Sequence, residues 1–138
     1  TVIGDAVNLG SRLESLSRVY GVDVVVGEAT RRLAPAFYWQ ELDRVVVKGK
    51  EDAVCIFTPL APQTDVPDAH IQQELSIWNR FLKAFRHQQW DECDLHLLNL
   101  QRLNPASPLY HYYAQRLSQQ RLLPIDPTWD GTNRFLVK

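Results

Sequence analysis

The sequence predicts an α+β fold for its first part and a small all-α unit for the rest, and three observations carry this. Apolar residues recur at helical spacing between Asp5 and Tyr20. Short β-branched or aromatic runs follow, at 22–26, 37–48 and 53–58, with glycines between them. After a proline-containing stretch at 61–67, helical spacing returns and lasts to about residue 121. The order helix, strand, helix, strand, strand describes helices packed on a largely antiparallel sheet, with the sheet's earlier strands expected upstream of this chain.

In the first helix, Ala6, Leu9, Leu13, Leu16 and Tyr20 lie three or four positions apart, which is the period of a helix burying one stripe. Gly21 supplies its stop, because glycine adopts the left-handed conformation that ends helices. The run Val22-Asp23-Val24-Val25-Val26 predicts a short strand packed on both faces and closed by Gly27. Glu28 to Leu33 reads as a short helix ending before Pro35. Phe37 to Lys48 and Ala53 to Thr58 then pair as an antiparallel hairpin across Gly49-Lys50-Glu51-Asp52.

The domain division that follows is 1–60, a linker at 61–67, and a helical tail at 68–138. The linker, Ala61-Pro62-Gln63-Thr64-Asp65-Val66-Pro67, holds two prolines and few large apolar groups. In the tail, segments near 68–87, 90–103 and 107–121 have helical spacing, with Leu75, Trp78, Leu82 and Phe85 as one stripe and Leu95, Leu98 and Leu103 as another. Asn104-Pro105 and Ser107-Pro108 mark the last break, and Trp129-Asp130-Gly131 reads as a turn with a packed tryptophan before it. The aromatic residues Trp78, Phe85, Trp90, Tyr110, Tyr112 and Tyr113 are expected in the core of this tail. The pair of helices flanking Gln88-Gln89-Trp90 resembles a tetratricopeptide-type hairpin, although one unit falls below the several repeats a solenoid needs.

Composition narrows the function classes. With 138 residues, 45% of them hydrophobic and 22% charged, the chain can hold one domain or a partial domain with an extension. A formal charge of -1, from 15 basic and 16 acidic residues, argues against a polyanion-binding surface, so nucleic acid is not an expected partner. Cys55 and Cys93 match no metal-ligand spacing and are expected to be buried reduced thiols, which implies a cytosolic setting. His70, His87, His96 and His111 fall at irregular intervals with no ligand-like pairing. No stretch reaches the roughly 20 apolar residues of a spanning helix. The first residues lack Met and any signal-peptide pattern and run directly into the amphipathic helix, which predicts a fragment beginning inside a fold.

The chemistry is concentrated in Gly4-Asp5-Ala6-Val7-Asn8-Leu9-Gly10-Ser11-Arg12-Leu13-Glu14. Residues four apart share a helix face, so Asn8 and Arg12 are presented together while Leu9 and Leu13 turn to the core. For an arbitrary Asn/Arg pair, the solvated face of an amphipathic helix is the better explanation, and it is the surrounding residues that change the odds. Asp5, one turn earlier, is placed to cap the helix.

The run from Thr1 to Glu14 resembles the signature of class III nucleotide cyclase catalytic domains, and Val47-Lys48-Gly49-Lys50 resembles their later lysine turn. The similarity covers about residues 1–60, and its two motifs stand in the family's order. It implies the C-terminal part of a ferredoxin-like cyclase domain. Position by position, Asn8 matches the asparagine that orients the ribose, Arg12 the arginine that stabilises the transition state, and Lys48 the lysine that contacts the terminal phosphates. Thr1 falls at a purine-selecting position, where a hydroxyl favours adenine. The implied reaction is conversion of ATP to 3',5'-cyclic AMP and pyrophosphate, with guanylate cyclase, a catalytically silent regulatory domain and a protein-interaction module as the alternatives.

Ring closure of a nucleoside triphosphate agrees with these residue types. It needs the ribose hydroxyl in line with the α-phosphorus while charge builds on phosphate oxygens. A guanidinium suits that charge, and a lysine suits pyrophosphate. In the family Mg2+ or Mn2+ completes the site on two Asp residues upstream of the signature, a region this chain does not contain. The resemblance therefore implies a homodimer with the site at the subunit interface, an inactive isolated fragment, and a cytoplasmic domain that upstream segments could anchor to the inner membrane.

Overall fold

The computed structural model describes residue 13 and residues 15–46 and 52–135, which form two compact units. One unit runs to Gln63 and takes in the chain again from Thr132; the other is Thr64–Gly131. Thr1, Asn8, Arg12 and Lys48 lie outside the described residues, as does most of the predicted first helix.

In the first unit, Leu13, Leu16 and Tyr20 are buried, so the apolar stripe points inward as its spacing requires. The helix is not continuous there: Ser15 and Leu16 form a turn, and helix α1 is the single turn Ser17–Tyr20. Gly21 ends it at φ 70 and donates its N–H to the Ser17 carbonyl. The strand expected at 22–26 shrinks to β1, Val26–Gly27, because Val24 is 46% exposed and the run is not packed on both faces. Helix α2, Glu28–Leu33, stops before Pro35 as predicted.

Strands β2, Phe37–Val46, and β3, Val54–Pro62, form the expected antiparallel hairpin. β3 runs further than the sequence predicts, and Ala61 and Pro62 pair with Tyr38 and Phe37 instead of starting a linker. Register shifts fall between Tyr38 and Trp39 and between Glu41 and Asp43, and only the first lies at a proline. Pro59 sits beside the first shift and Pro62 ends the strand, where a missing N–H costs least. The second shift has a larger effect: it breaks the inside-outside alternation, so adjacent Leu42 and Asp43 are both buried, at 0% and 1% exposure.

A strand that the sequence does not predict completes this sheet. β4, Asn133–Arg134, pairs in parallel with Val45 and Val46 of β2. The described sheet is thus four-stranded and mixed, in the order β1-β3-β2-β4. The last part of the expected tail groups with the first unit, since it finds a backbone ladder there.

The second unit contains α3 (Ala69–Arg86), α4 (Trp90–Leu103) and α5 (Pro108–Gln120), within two residues of the predicted limits. Asp68 caps α3 by accepting from the Ile71 N–H at 3.0 Å, and Ser107 caps α5 by accepting from the Tyr110 N–H at 3.3 Å. Pro108 occupies the first turn of α5, where no intrahelical N–H bond is lost. Trp78, Phe81, Phe85, Tyr110 and Tyr113 are almost wholly buried and pack ring against ring at 5.0–5.8 Å.

The expected stripe of α4 is in the wrong phase. Leu95 and Leu98 are exposed, at 59% and 48%, whereas Cys93, Leu97 and Leu100 face the core at i, i+4 and i+7. Trp90 and Tyr112 are half-buried. Among the described residues no helix is long and apolar enough to cross a membrane.

Candidate functional site

Structure reaches the candidate site only through its flanks. Arg12 is the residue before Leu13, and Leu13 is 1% exposed. Lys48 lies two positions beyond Val46, within the connection that joins the paired strands β2 and β3. Leu13 and Val46 are thus the described residues nearest the two motifs in sequence, and Thr1, Asn8, Arg12 and Lys48 lie outside the described residues.

α1 and β2 meet at a polar contact inside this unit. The Tyr20 hydroxyl donates to Asp43 Oδ2 at 2.6 Å, and the Arg44 N–H donates to Asp43 Oδ1 at 2.8 Å. Asn133 Nδ2 approaches the Tyr20 hydroxyl at 3.4 Å and Asp43 Oδ2 at 3.5 Å. Burying a carboxylate is unfavourable unless it is hydrogen-bonded, and here the bonds come from three segments far apart in sequence. Sequence reasoning placed Tyr20 in the buried stripe but named neither Asp43 nor Asn133. An available signal was Asp43 itself, a charged residue inside a run that otherwise reads as a strand.

Glu28, Arg31 and Arg32 form a local charge cluster on α2. Arg31 and Arg32 both donate to Glu28 of the same helix, Arg31 being the closer, and these bonds hold the Glu28 carboxyl below its usual range. The Arg31 guanidinium also lies 4.8 Å over the Phe57 ring. Cys55 is half-buried and Cys93 fully buried, and burial pushes the Cys93 thiol up to about 12. Among the described residues no group of three or more His, Cys, Asp or Glu side chains is arranged to hold a metal ion.

In the second unit, an open depression is lined by Gln88, Gln89, Trp90, Asp91, Glu92 and Arg121. Its cation is already engaged, since Arg121 pairs with Asp94 at 2.9 Å and Asp91 at 3.5 Å. A phosphate group would find two acidic neighbours there instead of a receptive charge.

Against known proteins, an adenylate cyclase of Anabaena cylindrica is 41% identical over 61 residues, covering 41% of this chain. The match covers only 12% of that relative's length. No protein-family model matches, and no solved structure matches.

Proposed function

We propose that this chain contributes part of an adenylate cyclase site, with Asn8 and Arg12 acting on the ribose and the transition state, Lys48 on the terminal phosphates and Thr1 on the purine. The observation that carries the reading is the 41% identity over 61 residues to an adenylate cyclase. It is supported by the signature at 1–14 and the lysine turn at 47–50, which fall in the order seen in class III cyclases.

In this reading Arg12 holds a permanent positive charge where the phosphoryl oxygens become more negative, so it favours the transition state over bound ATP. Asn8 fixes the ribose so that its 3'-hydroxyl is in line with the α-phosphorus. Lys48 offsets charge on the leaving pyrophosphate. A Mg2+ or Mn2+ ion would neutralise phosphate charge and activate the hydroxyl when bound, on ligands from outside this chain. A second subunit would face these residues with the metal-bearing half of the site. The isolated 138-residue chain then forms no cyclic AMP.

The test is cyclic AMP formation by the full-length protein with Mg2+ or Mn2+, beside an Arg12→Ala variant. Loss of rate with nearly unchanged nucleotide binding supports the reading. ATP binding without formation of either cyclic AMP or cyclic GMP favours a silent regulatory domain instead, and turnover by the purified 138-residue chain overturns the half-site assignment.

A further inference from the structure

We propose that the outward face of α4 is a self-association surface, on which two copies of this chain pair their α4 helices antiparallel about a two-fold axis. The inference goes beyond the cyclase reading and does not depend on it, since every residue involved belongs to the helical unit Thr64–Gly131.

Residues that the sequence places in the core define this surface. Leu95 and Leu98 are 59% and 48% exposed, while Cys93, Leu97 and Leu100 fill the buried side of the same helix. A single exposed leucine is ordinary on a protein surface. These two have a context: Asp91 stands one turn before Leu95, and Arg102 one turn after Leu98. Spacings of four, three and four put Asp91, Leu95, Leu98 and Arg102 on one stripe about 16 Å long.

The stripe reads acid, leucine, leucine, base, and it is its own complement when reversed. In an antiparallel pair centred between Leu95 and Leu98, Leu95 of each copy meets Leu98 of the other. Arg102 of each copy then falls beside Asp91 of the other, and the leucines are covered between the two ion pairs. A parallel pair would set Asp91 against Asp91 and Arg102 against Arg102, which like-charge repulsion opposes.

Both charged groups can serve such a contact. Arg102 is exposed and pairs with no carboxylate among the described residues. The Asp91 carboxylate is fully exposed; Arg121 lies 3.5 Å from it but binds Asp94 more closely, at 2.9 Å. An acid in the first turn and a base in the last turn also suit the helix dipole, which accounts for the charges by themselves. It does not account for two leucines set in water between them.

Three turns of helix make a small interface, under about 1,200 Å2, so the dimer is expected to be weak, with a dissociation constant on the order of 100 μM. Sedimentation equilibrium of the 138-residue chain, from roughly 5 μM to about 1 mM, tests it. The average mass is expected to climb from 15.9 kDa toward twice that value. Leu98→Glu changes an exposed position and is expected to weaken association by about tenfold or more while the far-ultraviolet circular dichroism stays the same. Leu95→Lys serves as a second variant with the same expectation. Arg102→Asp also weakens association, and adding Asp91→Arg restores it, because the exchanged charges again face each other.

A mass that stays at 15.9 kDa over the whole range overturns the surface. So does association that both leucine variants leave intact, since the contact then lies elsewhere on the chain. Growth beyond a dimer overturns the two-fold arrangement, because a closed two-fold contact stops at two copies. Failure of Asp91→Arg to rescue Arg102→Asp overturns the antiparallel register.

Discussion

The hydroxyl of Tyr20 donates to the buried carboxylate of Asp43 at 2.6 Å, although the two residues stand 23 positions apart. Tyr20→Phe keeps the ring, which is fully buried, and deletes the hydroxyl that donates to Asp43 and that Asn133 Nδ2 approaches at 3.4 Å. Leaving one partner of a buried hydrogen bond unsatisfied costs about 1–3 kcal/mol, so the variant is expected to lose roughly that much stability. Urea unfolding checks it: the midpoint should fall while the slope stays constant.

Gly131 is the second sensitive position. Its φ is +85, and a β-carbon there would lie 2.6 Å from Cγ of Arg86. Gly131→Ala adds both the left-handed penalty and a close approach, and is expected to cost more than about 1 kcal/mol. Thermal denaturation would register this as a lower midpoint for the helical unit. An unchanged midpoint would mean that Arg86 moves aside without cost.

Arg116 is 9% exposed, and its guanidinium lies 5.0 Å over Phe85 and 5.1 Å over Tyr113. It also donates to the Gly131 carbonyl at 3.4 Å. Lysine keeps the charge but not the flat stacking surface, so Arg116→Lys is expected to destabilise by about 1–2 kcal/mol. Near-ultraviolet circular dichroism should change with it, because the rings around the guanidinium would repack.

Cys93 yields a pH prediction. Burial raises its thiol from the usual 9.0 to about 12, so the folded chain keeps a proton that the unfolded chain releases. Its contribution to stability is therefore fully present below pH about 9 and is lost as pH rises toward about 12. Cys93→Ala should flatten the alkaline part of the stability curve relative to the unaltered chain. A thiol reagent at pH 8 should modify Cys55 before Cys93, and equal rates would contradict the burial.

Helix limits in the second unit were legible because local signals fix them: Asp68 and Ser107 are caps, and Pro108 suits a first turn. The hairpin of β2 and β3 was legible from its β-branched and aromatic runs. The face of α4 was not, since leucines occur at 95, 97, 98, 100 and 103 and spacing alone fits more than one stripe. β4 was invisible for a different reason. Two residues, Asn133 and Arg134, carry no strand pattern, and only the open edge of β2 makes them a strand. The inward position of Asp43 was equally hidden, because it depends on a register shift set by the partner strand. Thr1, Asn8, Arg12 and Lys48 were found from motif resemblance and lie outside the described residues, so their geometry has no counterpart here.

The Tyr20 hydroxyl and the Asn133 amide lie 3.4 Å apart although 113 positions separate them in sequence, and the whole unit Thr64–Gly131 falls within that interval. Synthesis proceeds from Tyr20 toward Asn133, so β2 must wait with an open edge while the three helices are made. Loop-closure entropy grows only logarithmically with length, and a collapsed insert shortens the effective tether further. Docking of β4 should thus be the last kinetic step in assembly, following helix formation and depending on it. A refolding experiment that monitors Trp78 and Tyr20 separately would see the helices first and the closed sheet afterwards.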